Sequence, residues 1–103
     1  MRLEHYPADR LAAEVRAIVA AHLDLDSYKV FFFGSRVRGT NSERSDIDIG
    51  ISGRDTAVPA PALGAIREAL DELPTLYTFD VVDFRKASPG FREAALKEIK
   101  HVN

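Results

Sequence analysis

Residues Asp46-Ile47-Asp48-Ile49-Gly50-Ile51 alternate between two kinds of side chain. A period of two belongs to an extended strand, whose successive side chains point to opposite faces. Ile47, Ile49 and Ile51 are therefore expected to face a core, and Asp46, Asp48 and Gly50 to face away from it. Carboxylates two residues apart on a strand have Cα atoms about 6.5–7 Å apart. Like charges at that spacing repel, and a strand rich in isoleucine is a poor place for them. A divalent cation relieves the conflict, because Mg²⁺ takes one or two carboxylates and completes its octahedron with waters and phosphate oxygens. Asp-x-Asp is short and common, however, and by itself equally fits two solvated carboxylates on an open sheet face.

The preceding segment narrows the choice. Tyr28 to Phe33 is rich in aromatic and β-branched residues and ends at Gly34-Ser35, which predicts a strand buried on both faces. Glycine lets a backbone turn sharply and approach a phosphate closely. The residues from Gly34 to Gly39 read as a tight turn and a short helix, whose first N–H groups favour an anion, and the Ser35 hydroxyl adds a donor. Thr40 to Ser45 is a loop by composition. If the two strands are antiparallel neighbours, Gly34-Ser35 and Asp46 lie at the same end of a sheet, with a phosphate cradle beside metal ligands.

Asp80 supplies a third carboxylate. It interrupts the strand-like run from Leu76 to Phe84, and an aspartate in an apolar strand is costly unless paired or bound to metal. Pairing that strand beside the Asp46–Ile51 strand brings Asp80 next to Asp48, where it could help remove a proton from an attacking hydroxyl. Asp83 is the rival. It lies on the opposite face and nearer the strand end, where solvation is cheap. Arg36 and Arg38 point in different directions if their segment is helical, so one is expected to face phosphates and the other to make a surface ion pair. Arg44 and Ser45, just before Asp46, are further candidates for phosphate contact.

The rest reads as scaffold. Leu11, Val15, Ile18, Val19 and Leu23 give an amphipathic helix over about Ala8 to Leu23, and Leu63, Ile66, Leu70 and Leu73 give a second, stopped by Pro74. Ser88 and Pro89 open a last helix running to about Lys100. The expected class is α/β (α+β), one domain over residues 1–103 with a small mixed sheet. Helices pack on one face of the sheet, and the other face is left to the aspartates. A net charge of −2 shows no broad basic footprint for nucleic acid. No stretch approaches the ~20 apolar residues that span a bilayer. With no cysteine, thiolate metal sites are excluded. The N-terminus has no secretory pattern, so a cytoplasmic location is expected.

Taken together, Gly34-Ser35, ten intervening residues, Asp46-x-Asp48 and a later Asp80 resemble the DNA-polymerase-β-like nucleotidyltransferase superfamily. Within it, Gly34-Ser35-Arg36-Val37-Arg38-Gly39 with Ser45-Asp46-Ile47-Asp48-Ile49 resembles the minimal nucleotidyltransferases. These are small domains found with a helical HEPN partner, often as a toxin–antitoxin pair. Val37 stands where that family usually has alanine, at a position read as packing. The resemblance implies transfer of a nucleoside monophosphate, AMP from ATP or another NTP, to a hydroxyl on the HEPN-type partner. Gly34 and Ser35 would hold the β- and γ-phosphates. Asp46 and Asp48 would bind two Mg²⁺ ions (or Mn²⁺), and Asp80 would bind the metal nearest the nucleophile and assist as base. The competing reading is a non-catalytic antitoxin that neutralises a HEPN ribonuclease toxin by occupying its surface. A metal-dependent phosphotransferase of another fold is disfavoured, because its Asp-x-Asp follows a strand, whereas here the pair opens one.

Overall fold

The structure is a computed structural model and describes residues 1–40 and 46–103. Eight elements follow in order: α1 (Ala8–Ala20), β1 (Tyr28–Phe33), α2 (Ser35–Arg38), β2 (Ile47–Gly53), α3 (Ala60–Asp71), β3 (Phe79–Asp83), α4 (Pro89–Ala95) and β4 (Lys100–His101). The strands form one mixed sheet in the order β3-β2-β1-β4. β1 runs antiparallel to both β2 and β4, and β2 runs parallel to β3. A parallel pair needs a long crossover, and α3 is that crossover.

The alternation in β2 sorts the sheet's two faces. Ile47, Ile49 and Ile51 are wholly buried and pack with Val30 and Phe32 of β1 and Val81 of β3. Leu11, Val15 and Val19 of α1 and Ile66 and Leu70 of α3 close this layer from above. Each of these helices therefore spends its apolar stripe on the same sheet face, as the spacing predicts. Val37 is packed at the edge of this core.

The opposite face departs from expectation. It is not left to the aspartates alone. Phe31, Phe33, Phe84 and Ala95 form a second, smaller cluster there, so α4 lies across part of that face. Phe31 and Phe84 meet edge to face with centroids 4.8 Å apart, as do Phe33 and Phe84 at 5.1 Å. Gly50 makes room for them: a Cβ at that position would stand 2.4 Å from the Phe31 ring and 2.7 Å from the Phe84 ring. The last helix is also shorter than expected. Ser88 caps it through its Oγ, which accepts from the Phe91 N–H at 3.2 Å, but it stops at Ala95. The chain then returns as β4 beside β1. Asn103 fastens that end: its Oδ1 accepts from the Val30 N–H at 2.7 Å and its Nδ2 donates to the Tyr28 carbonyl at 2.8 Å.

Candidate functional site

The site forms where β1 ends, β2 begins and β3 runs alongside. Register places Phe33 opposite Asp48, and Asp48 opposite Asp80. With two-residue alternation, the Asp48 and Asp80 side chains share the face that carries the Phe31–Phe33–Phe84 cluster. Gly34 follows Phe33 directly with φ +83°, in the left-handed region that favours glycine. A side chain there would also collide with the site, because a Cβ would lie 2.0 Å from an Asp48 carboxylate oxygen. The glycine is thus required twice, for its backbone angle and for the space that Asp48 occupies.

α2 starts at Ser35, and the Val37 and Arg38 N–H groups both bond to the Gly34 carbonyl at 3.1 Å. Four residues of helix turn Arg36 and Arg38 in different directions. Arg38 is exposed and joins Phe33, Gly34, Ser35, Asp48, Asp80, Phe91, Ala94 and Ala95 in lining a cleft of ≈ 340 Å³. Arg36 is buried, with its guanidinium 4.9 Å over the Tyr77 ring. Tyr77 is fixed in turn, since its hydroxyl accepts from the Glu4 and His5 N–H groups at 3.1 and 3.2 Å. Arg36 does not line the cleft, and it is buried where one arginine of the pair was expected to form a surface ion pair. Ser45 and Arg44 lie outside the described residues.

Electrostatics single out Asp48. Burial, reinforced by the Asp80 and then the Asp46 carboxylates, pushes its pKa up to about 6, while Arg38 pulls the other way. Asp48 is half-buried, whereas Asp46 and Asp80 are exposed. Asp46 is turned toward β3, where the Thr78 hydroxyl donates to its carboxylate. Thr78 was not singled out from the sequence. A signal for it existed, because Thr78-x-Asp80 has the spacing of Asp46-x-Asp48, and parallel pairing of those segments sets the two pairs side by side.

Asp83 does not line this cleft, and it is buried where solvation at a strand end was expected. It is buried on the core side opposite Ile51, where its carboxylate accepts from the Val58 N–H at 2.9 Å and the Arg85 N–H at 3.0 Å. Both oxygens are committed to holding loops.

The donor chemistry of Asp46, Asp48 and Asp80 suits a hard divalent cation. No three His, Asp or Glu side chains among the described residues are grouped to enclose an ion by themselves.

Comparison with known proteins bears on the family and the fold. Residues 18–102 match the family described as Polymerase beta, Nucleotidyltransferase. Over 89 residues the chain is 32% identical to the probable protein adenylyltransferase MntA of Haemophilus influenzae, covering 84% of this chain and 77% of that protein. A crystal structure of a toxin–antitoxin with AMP-PNP superposes with a TM-score of 0.68 at 23% identity, over 89% of this chain and 72% of that one. The toxin–antitoxin MntA–HpeT, in a mutant with two aspartates changed to glutamates, gives 0.68 at 21% identity over the same shares. The two superpositions show a shared fold, and with the family match that fold is the polymerase-β-like nucleotidyltransferase fold.

Proposed function

The chain belongs to the polymerase beta nucleotidyltransferase family, and from that premise we propose that it transfers AMP from ATP to a hydroxyl on a partner protein. The observation that carries this reading is the convergence at one cleft of Gly34, Ser35, Asp48 and Asp80, with burial and the neighbouring carboxylates raising the Asp48 pKa. Crowded like charges beside a glycine turn have little value to a pure binding surface. They suit a site whose ligand brings cations and phosphates together.

In this reading Gly34 lets the triphosphate approach the backbone, and the Ser35 hydroxyl donates to a phosphate oxygen. Arg38, on the same wall, adds positive charge for the β- and γ-phosphates. Asp46, Asp48 and Asp80 would hold Mg²⁺, as two ions, with Mn²⁺ as the substitute. Bound there, the ions would neutralise charge on the phosphates. The acceptor oxygen bonds to the α-phosphorus as the bond from that phosphorus to the bridging oxygen of the β-phosphate breaks, and pyrophosphate leaves. The hydroxyl proton passes to Asp80, which is exposed and free of the core. Positioning and charge supply most of the acceleration in such a transfer. Arg36 acts at one remove, by packing the turn onto Tyr77.

The name of the H. influenzae relative supports AMP as the group transferred, and the toxin–antitoxin likenesses, one crystallised with AMP-PNP, support a toxin as acceptor. We take that toxin to be a helical HEPN-type protein in the cytoplasm and the chain to be its antitoxin, with residues 1–103 as one minimal domain. The test is to incubate the chain and its co-purified partner with ATP and Mg²⁺ and to read AMP on the partner by mass spectrometry. AMP should appear with the wild type and vanish with Asp46→Asn plus Asp48→Asn. Absence of AMP on the partner with the wild type refutes the enzyme. Full toxin neutralisation by the double variant would point to an antitoxin that works by binding alone.

A further inference from the structure

We propose that Phe91 and Ala94 form the shelf on which the purine base of the nucleoside triphosphate lies; this rests on the nucleotidyl-transfer reading above and adds how the site takes its base. Both residues come from α4 and are neighbours on one helix face by their spacing of three. They line the same cleft as Gly34, Ser35, Asp48 and Asp80. One wall of that cleft therefore carries the groups for phosphates and cations, and, among the described residues, the α4 wall carries Phe91, Ala94 and Ala95.

Phe91 differs from the other rings around it. Phe31, Phe33 and Phe84 are buried, whereas Phe91 is 44% exposed. It is nonetheless held in place: it stands at 90° to Phe33 with centroids 5.9 Å apart and is tilted on Phe84 at 5.8 Å. Its backbone N–H is anchored by the Ser88 cap. A ring seated on one side and open on the other loses little freedom when a planar ligand stacks on it. Ala94, with a single methyl group, leaves the shelf flat beyond the ring. The three α4 side chains in the wall offer no hydrogen-bond donor or acceptor, so recognition there works through stacked area. The larger purine gains more from such a surface than a pyrimidine does. An aromatic ring under a base strengthens binding on the order of tenfold.

The test measures Mg²⁺-dependent binding of ATP, UTP and inorganic tripolyphosphate to the full chain by calorimetry. Wild type should bind ATP on the order of tenfold more tightly than tripolyphosphate, with UTP between them. Phe91→Leu, which keeps apolar bulk but removes the ring, should bind ATP no better than wild type binds tripolyphosphate, with tripolyphosphate affinity unchanged. Phe91→Tyr should keep the wild-type preference. Because the chain has no tryptophan, Phe91→Trp provides a single reporter, whose fluorescence ATP should quench and tripolyphosphate should not. ATP binding that Phe91→Leu leaves unchanged, or Phe91→Trp emission blind to ATP, overturns the shelf alone. Failure of the wild type to bind either ATP or tripolyphosphate overturns the nucleotide site and the shelf with it.

Discussion

Asp48→Asn should make the metal-free protein more stable while removing its activity. In the folded chain Asp48 has its pKa raised from 3.8 to about 6, first by burial and then by Asp80 and Asp46. The folded state thus holds this proton more tightly than the unfolded state does. The stabilisation from protonating Asp48 is complete below the unfolded pKa of 3.8 and is lost as pH rises through about 6. Above that, the folded protein carries an unfavourable charge that the unfolded chain solvates freely. Taken at face value the shift is worth about 3 kcal/mol at ~1.4 kcal/mol per unit. Asp48 is only half-buried, so solvent screening reduces this to about 1–1.5 kcal/mol. Asparagine mimics the protonated side chain and should recover that amount. For a domain of this size the gain corresponds to a Tm higher by roughly 4–10 °C. The assay is thermal unfolding of wild type and variant in chelator-treated buffer from about pH 4 to about pH 8. The variant's advantage should be smallest at the acid end, where it has only begun to develop, and full at the alkaline end. Millimolar Mg²⁺ with ATP should close the gap at about pH 8, because the ligand stabilises only the wild type. A variant no more stable than wild type at about pH 8, or an advantage independent of pH, would refute the claim that carboxylate crowding sets the character of this site.

Other perturbations separate site from scaffold. Gly34→Ala places a Cβ 2.0 Å from Asp48 at a φ of +83°; backbone strain alone costs about 1–2 kcal/mol, so Tm should fall and nucleotide binding should be lost together. Asp83→Ala leaves the Val58 and Arg85 N–H groups without their acceptor and should cost about 1–3 kcal/mol in denaturant unfolding, with the folded fraction still active. Asp80→Asn should abolish transfer and, by relieving part of the crowding on Asp48, raise the metal-free Tm by less than Asp48→Asn does. Arg38→Ala should weaken ATP binding with little effect on stability, whereas Arg36→Ala, which empties a buried place over Tyr77, should lower Tm.

The parts of the fold that could be read in the sequence were those with a strong period or clear punctuation. β1 matches the run Tyr28–Phe33 because bulky, β-branched and aromatic residues stop abruptly at a glycine. The Ile47-Ile49-Ile51 face holds because alternation leaves only one way to bury three isoleucines. The end-to-end meeting of Gly34 with Asp48 then follows from antiparallel pairing. β4 was not readable, since two residues, Lys100 and His101, show no period and become a strand only because β1 offers a free edge. The helical spacing of Phe91, Ala95, Leu96 and Ile99 hid that return. α4 ends at Ala95, and Leu96 is left 47% exposed. The roles of Asp83, Arg36 and Thr78 depend on partners distant in sequence, at Val58, Tyr77 and Asp46. Only Thr78 had a local clue, in its spacing from Asp80.

The central claim is that this cleft transfers a nucleotide and not a phosphate, and the position of an isotope in ATP tests it most directly. The co-purified complex is incubated with Mg²⁺ and ATP labelled at either the α- or the γ-phosphate, and radioactivity on the partner is counted. Nucleotidyl transfer predicts that the α-label moves to the partner and the γ-label leaves with pyrophosphate, both dependent on Asp48. Partner labelled from the γ-position, or from neither, would contradict it.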